Sequence, residues 1–153
     1  MADIFTKKKR SELMSAIRST GNKSTELKLL AALRSFGITG WRRHQRVLGR
    51  PDFLFRREKL AVFVDGCFWH GCSKCRSLPK TRTAFWREKI RSNVARDKKN
   101  NAALRRGGFA VLRIWEHDLK SQSRTKNKLI ILRAKLANRQ SRMSSTSGNL
   151  PQI

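Results

Sequence analysis

The chain has no tyrosine, only three cysteines and three histidines, and ten acidic residues against 36 lysines and arginines. It also lacks any apolar run of about 18 residues, the length a helix needs to cross a bilayer. Its first residues, MADIFTKKKR, contain no apolar stretch of the kind that marks a secretory signal. These absences exclude a helical membrane protein and argue against a secreted domain held by disulfides.

The shortage of acids leaves a formal net charge of +26. Such an imbalance calls for a polyanionic partner, with nucleic acid first and a generically basic or ribosome-bound protein as the alternative. The 153 residues suffice for one domain with a real core and not for two.

All three cysteines fall within thirteen residues, FVDGCFWHGCSKC, spanning Phe63 to Cys75. An odd number of clustered thiols points to metal rather than to disulfides. Structural zinc takes four soft or borderline ligands in a tetrahedron. The spacing Cys67-x4-Cys72-x2-Cys75 supplies three, and His44, His70 and His117 are candidates for the fourth. His70 lies between two of the cysteines, too close to fill the last corner comfortably. His117 follows an apolar strand and can return to the site, so Cys67, Cys72, Cys75 and His117 form the expected set. The competing reading is three reduced cysteines without metal.

Periodicity and breakers give the remaining elements. Residues 1–10 read as a basic, mobile arm, and Ser11–Ser19 as a short helix. Ser24 or Thr25 offers a cap before a helix over Glu26–Phe36, with Leu29, Leu30, Leu33 and Phe36 on one face and Gly37 as its stop. Gly40–Gln45 reads as a basic exposed strand. Asp52–Phe55 and Leu60–Val64 read as apolar strands joined by Arg56–Lys59 in a hairpin. A basic loop, Arg76–Arg82, precedes a long helix over about Ala84–Arg106. Its irregular stripe is Phe85, Ile90, Val94, Ala95 and Leu104, and Gly107-Gly108 ends it. Phe109–Trp115 reads as a buried strand and Lys126–Arg139 as a last helix. The order predicts a mixed sheet with helices on its faces. The crossover helix makes the strand ending near Val64 parallel to the one starting at Phe109.

Asp52 starts one strand of the hairpin and Asp65 ends the other, so the two acids meet at one end. A carboxylate there suits Mg²⁺, and the carbonyl of Val64 or Asp65 can add a further oxygen. With so few acids, one on a DNA-facing surface costs affinity and needs a reason. A strand-end turn is the commoner fate of such an Asp. Glu26 and Asp97 are weaker candidates: Glu26 suits a helix start, and Asp97 can pair with a basic neighbour. His70, just past the aromatics, can move a proton near neutral pH. Phe68, Trp69 and Trp86 are either packing around the metal loop or apolar wedges that open a base step.

At these residues the chain resembles one family, the very short patch repair endonucleases of bacteria. The matching segments are KKRSELMSAIRSTGNKSTE, LGRPDF, FVDGCFWHGC, KTRTAFWREKI with Asn93 and Asp97 beyond it, and GGFAVLRIWEHDL. They span residues from about 8 to 120, and FVDGCFWHGC followed by TRTAFW is the most specific part.

The resemblance implies a restriction-endonuclease-like α/β fold, a mixed sheet flanked by helices, with a structural zinc site. It implies a Mg²⁺-dependent, strand-specific nick in duplex DNA beside a T:G mismatch, of the kind left when 5-methylcytosine deaminates. Carried over by position, Asp52 is the Mg²⁺ ligand with the Val64 carbonyl beside it. His70 is the catalytic histidine and Glu26 its partner. Phe68, Trp69 and Trp86 form the DNA wedge, and Cys67, Cys72, Cys75 and His117 hold Zn²⁺. Some members carry His where this chain has Asp65, which assigns Asp65 either to metal or to that histidine's role. Some carry Cys in place of His117, an exchange zinc tolerates. The lysine of the common nuclease signature is absent here, because Asp65-Gly66-Cys67 occupies its place.

The expected layout is a single endonuclease domain over 1–139, whose residues 1–20 are a DNA-contacting arm and short helix, and a disordered tail over 140–153. The expected protein is monomeric, cytoplasmic and nucleoid-associated, with mismatch-repair proteins as candidate partners. Two rival readings stand beside it: a zinc-stabilised, non-catalytic nucleic-acid-binding protein, and a related nuclease of different DNA specificity.

Overall fold

Leucines at 29, 30 and 33 give the first helix, α1 (Glu26–Ser35), its buried face. It stops where expected. Gly37 takes φ +67, a left-handed conformation that favours glycine, and the Ile38 N–H returns to the Leu33 carbonyl at 3.0 Å. Its start differs from expectation. Thr25 sits at the N-cap without a side-chain capping bond, and Ser24 instead bonds the Asn22 side chain at 2.8 Å. The computed structural model describes residues 6–9, 11, 22, 24–75 and 77–146. The expected helix over Ser11–Ser19 lies, apart from Ser11, outside the described residues. Of the expected arm, residues 7–9 are helical.

The sheet runs β1 (Trp41–Arg42), β2 (Phe53–Phe55), β3 (Leu60–Asp65) and β4 (Ala110–Trp115), in that spatial order among the described residues. β1 is shorter than the expected Gly40–Gln45, and His44 just beyond it takes φ +54. β2 and β3 form the expected antiparallel hairpin, with Phe53 opposite Val62. β4 lies parallel to β3, in register from Leu60↔Ala110 to Asp65↔Trp115, as the crossover requires. The crossover is α2 (Thr83–Arg106). A 3₁₀ helix, Glu116–Lys120, then leads into α3 (Gln122–Thr146).

Side chains alternate across the strands, so the sheet has two faces. Phe53, Phe55, Leu60, Val62, Val64 and Ile114 meet Leu29 and Leu33 of α1 and Leu129 and Leu132 of α3. The opposite face carries Leu54, Ala61 and Phe63, which meet Leu104 of α2 in a much smaller cluster. β4 is less buried than expected. Only Ile114 is fully enclosed, because β4 is an edge strand whose second face looks onto the polar side of α2.

Two helices depart from their sequence readings. The buried residues of α2 are Trp86, Asn93 and Leu104, whereas Phe85 and Ala95 of the expected stripe are exposed. α3 begins four residues early and continues seven past Arg139, so Gln140–Thr146 is helical rather than disordered. The reason lies in Arg139 and Gln140. Arg139 donates to the carbonyls of Glu58 and Gly108 at 2.7 and 2.6 Å, and Gln140 donates to the Glu58 carboxylate at 2.9 Å. These bonds pin the helix to the turns at one end of the sheet. Among the described residues no helix is long and apolar enough to cross a membrane.

Candidate active site and metal centre

β3 ends at Asp65, and three catalytic candidates gather there. The Asp52 carboxylate accepts the Val64 N–H at 2.7 Å, which ties the start of β2 to the end of β3. Burial pushes the Asp52 carboxyl up from its ordinary 3.8 to about 6. The Val64 N–H opposes the rise, and the charges of Glu26 and Asp65 add to it. Its proton therefore leaves reluctantly unless a cation arrives.

Asp65 is also raised by burial, against the pull of His70 and Arg113. Both its oxygens accept from one Arg113 nitrogen, Nη1, at 2.8 and 2.7 Å. His70 Nδ1 lies 2.6 Å from Asp97 Oδ2 and 3.7 Å from Asp65 Oδ1. A carboxylate accepts, so Nδ1 carries the proton toward Asp97 and Nε2 faces away from it. Burial opposes protonation of His70, but the Asp97 bond and the Asp65 charge outweigh it, and its pKa is raised. For Asp97 burial acts upward, and the hydrogen bond and charge of His70 bring the net shift down.

The hydrogen-bond partner of His70 is thus Asp97. Glu26 accepts from Arg43, at 2.8 Å from Nε and more closely from Nη2, and lies 3.7 Å from His44 Nε2. Its charge helps to raise the Asp52 carboxyl. Asp97, a weak candidate by sequence, joins the site because α2 lies across the end of β3. Arg113 was missed. Its signal was a lone charge inside the apolar run FAVLRIW.

The aromatics meet as a cluster. Phe68 lies 5.1 Å from Trp69 and 5.5 Å from Trp86 between ring centroids, all edge-on. Trp86 is enclosed, and the exposed ring is its neighbour Phe85, 48% accessible and capped by the Arg82 guanidinium at 4.7 Å. Asn93 of α2 donates to the Trp69 carbonyl at 3.0 Å, joining cluster and helix. Gly71, at φ +66, lets the loop approach α2 closely. A Cβ there would lie 3.0 Å from Val94 and 3.1 Å from Ile90.

Cys67, Cys72, Cys75 and His117 come together as expected, with all ligand atoms within 4.8 Å of one another. His117 Nδ1 lies 3.3, 3.5 and 3.5 Å from the three sulfurs. A tetrahedral Zn²⁺ with Zn–S about 2.3 Å and Zn–N about 2.0–2.1 Å has an S···N edge of about 3.5 Å. The four donors are thus spaced for a tetrahedral metal. Burial pushes the Cys67 thiol up to about 12. At Cys72 burial acts the same way, but backbone N–H groups of Lys74 and Cys75 lower the net value. His117 Nε2 lies 3.5 Å from Asp118 Oδ1, the carboxylate–histidine arrangement that orients a ligating imidazole. This is the only cluster of three or more His, Cys, Asp or Glu ligands among the described residues.

A family profile described as DNA mismatch endonuclease Vsr matches residues 2–76. The chain is 39% identical over 133 residues to the type II nicking enzyme V.NmeAIP of Neisseria meningitidis, covering 84% of this chain and 92% of that one. It is 40% identical over 114 residues to the type II nicking enzyme V.NaeI of Lentzea aerocolonigenes, covering 71% and 68%. It is 36% identical over 126 residues to the DNA mismatch endonuclease Vsr of Escherichia coli K12, covering 81% and 80%. With that much of each relative matched, the chain belongs to the DNA mismatch endonuclease Vsr family and is a DNA endonuclease.

Proposed function

We propose that the protein nicks one strand of duplex DNA beside a T:G mismatch left by 5-methylcytosine deamination, using Mg²⁺ at the end of β3. The observation that carries this reading is the meeting of Asp52, Asp65 and the His70–Asp97 pair beside a largely buried cluster of aromatic rings. The donors suit the ion. Asp52 is a hard oxygen ligand held by one backbone N–H, and the neighbouring acids add negative charge that a cation relieves. Asp52 and the Val64 carbonyl would hold Mg²⁺, which when bound would supply charge neutralisation at the scissile phosphate and a polarised water. His70 then takes a proton at Nε2, oriented through Nδ1 by Asp97. Asp65 holds Arg113 and keeps the second acid at the imidazole edge. Glu26 deepens the negative potential at Asp52.

Phe68, Trp69 and Trp86 are the proposed wedge, with Phe85 as its outermost ring. Unstacking costs least at a mismatch, so a wedge turns mismatch instability into selectivity. The charge of +26 supplies backbone affinity. Zn²⁺ at Cys67, Cys72, Cys75 and His117 is proposed as structural, because it ties the wedge loop to the segment after β4. The hairpin followed by a parallel strand, with the acid at the hairpin end, is consistent with a restriction-endonuclease-like core. The same reading makes the chain a monomer acting on the nucleoid in the cytoplasm, where mismatch-repair proteins are candidate partners.

The test is nicking of duplexes that differ only in one T:G pair, with and without Mg²⁺. Strand-specific nicking of the T:G duplex alone, dependent on Mg²⁺, is expected. Equal cutting of the matched duplex would transfer the protein to a nuclease of other specificity. Metal analysis of folded protein is expected to give one zinc per chain, and folded protein without zinc would refute the structural role.

A further inference from the structure

Two carboxylates face the same edge of His70, and one guanidinium touches both. Arg113 Nη1 contacts both oxygens of Asp65, and Arg113 Nη2 lies 3.5 Å from Asp97 Oδ1. The guanidinium is itself fixed. Its Nε and Nη2 donate to the Asn101 side-chain carbonyl at 3.3 and 3.1 Å, and its centre sits 4.4 Å over the Phe63 ring. Arg113 is 17% exposed and comes from β4, whereas His70 comes from the metal loop and Asp97 from α2.

We propose that Arg113 is a positioning residue that decides which carboxylate orients the His70 imidazole. This rests on the reading of His70 as the proton-transfer group. The physical argument is competition for one N–H. Asp97 and Asp65 are both acceptors near Nδ1, at 2.6 and 3.7 Å. Left alone, the two acids repel each other, and the ring can turn toward either. Arg113 occupies both Asp65 oxygens and so withdraws Asp65 from the contest. Asp97, met by a single guanidinium nitrogen at longer range, keeps the short bond to Nδ1. The ring plane, and with it the direction of Nε2, follows from that choice.

A planar fork is required for this task. A lysine can neutralise Asp65, but it cannot grip Asp65 while also facing Asp97 and Asn101. A purely structural ion pair makes the opposite demand: any partner that satisfies buried Asp65 would serve. Arg113→Lys therefore separates the two roles, and Asn101→Ala provides a second variant that loosens the guanidinium while every charge stays in place.

The experiment uses full-length, zinc-loaded protein labelled with ¹⁵N-histidine, at one fixed pH and without DNA. The chain has only three histidines, so the His70 Nδ1–H signal can be assigned by its loss in His70→Gln. Alongside it, single-turnover nicking and duplex affinity are measured. In folded Arg113→Lys the His70 Nδ1–H signal is expected to shift or broaden. Nicking should slow by roughly 10–10²-fold, the cost of a slightly misplaced group, with duplex affinity unchanged. Asn101→Ala should move both readouts in the same direction by less. An unaltered His70 signal in folded Arg113→Lys overturns the proposal, whatever the nicking rate. If Arg113→Lys does not fold, the same two readouts on Asn101→Ala decide. Should the wild-type protein nick no duplex, the proposed function fails, while the histidine signal still judges Arg113.

Discussion

The two faces of the sheet are built from the same four strands and do opposite work. The face toward α1 and α3 is apolar throughout, with Phe53, Phe55, Leu60, Val62 and Ile114 almost wholly enclosed. The face toward α2 keeps a small apolar patch, then turns polar toward the C-terminal end of β3, where Asp65, Arg113, Asp97 and Asn101 are linked by hydrogen bonds. Burying charges is expensive unless each is paired. That face tolerates them because one residue, Arg113, connects all three partners. The apolar face anchors the fold, and the polar face holds the proposed active site at a cost in packing.

If this division is right, substitutions on the two faces should separate activity from stability. The largest effect is expected at Asp52. Asp52→Asn keeps size but removes the charge that would hold Mg²⁺. Nicking should fall by about 10³-fold, several kcal/mol of lost charge stabilisation, while the thermal midpoint holds or rises. Duplex binding should persist, because the substitution only adds to the positive net charge. A folded Asp52→Asn protein that nicks at nearly the wild-type rate would remove Asp52 from the mechanism.

On the other face, Leu132→Ala empties a fully buried position against the sheet. It should lower stability by about 2–5 kcal/mol in urea titration, with the folded fraction nicking normally. Loss of activity in fully folded Leu132→Ala would show that the faces are not independent.

A smaller loss is expected at the far end of the sheet. Arg139→Ala removes bonds to the carbonyls of Glu58, Lys59 and Gly108. About 1–3 kcal/mol of stability should go, and hydrogen exchange should rise in the last turns of α3. Unchanged exchange there would mean the helix holds without its staple.

The subtlest comparison is in pH. The Asp52 carboxyl is raised in the fold, from 3.8 to about 6, so the folded state binds the proton more tightly than the unfolded chain. Its contribution is fully present below about 3.8 and is lost as pH rises through about 6. In Mg²⁺-free buffer, stability should therefore decline across that window, and Asp52→Asn should flatten the decline. Other groups titrate there too, so the difference between the two proteins is the measured quantity. Identical slopes would show that burial does not strain this acid.

Much of this organisation was legible locally. α1 announced itself by leucines at the helical period and a glycine stop. The β2–β3 hairpin was plain from two apolar runs and a four-residue polar link. The thiol cluster was plain from its spacing, and His117 from its place after a strand. Other parts were not. α2 offered an irregular stripe because its inward side faces the buried polar groups at the end of β3, so Asn93, Asp97 and Asn101 stand where a core helix would carry leucines. The end of α3 looked like a Ser-rich tail because its stabilising bonds come from turns some 80 residues earlier in the chain.

What the sequence determined by itself is what local spacing can encode: element order, the antiparallel hairpin, the four donors of the candidate metal centre and a strongly basic surface. Only the tertiary structure decided the pairings within the site. His70 lies 27 residues from Asp97, and Asp65 lies 48 from Arg113. Nothing in either segment specifies its partner. The pairings arise when α2 and β4 close over the end of β3, because a buried carboxylate must then take whichever donor that packing brings within reach.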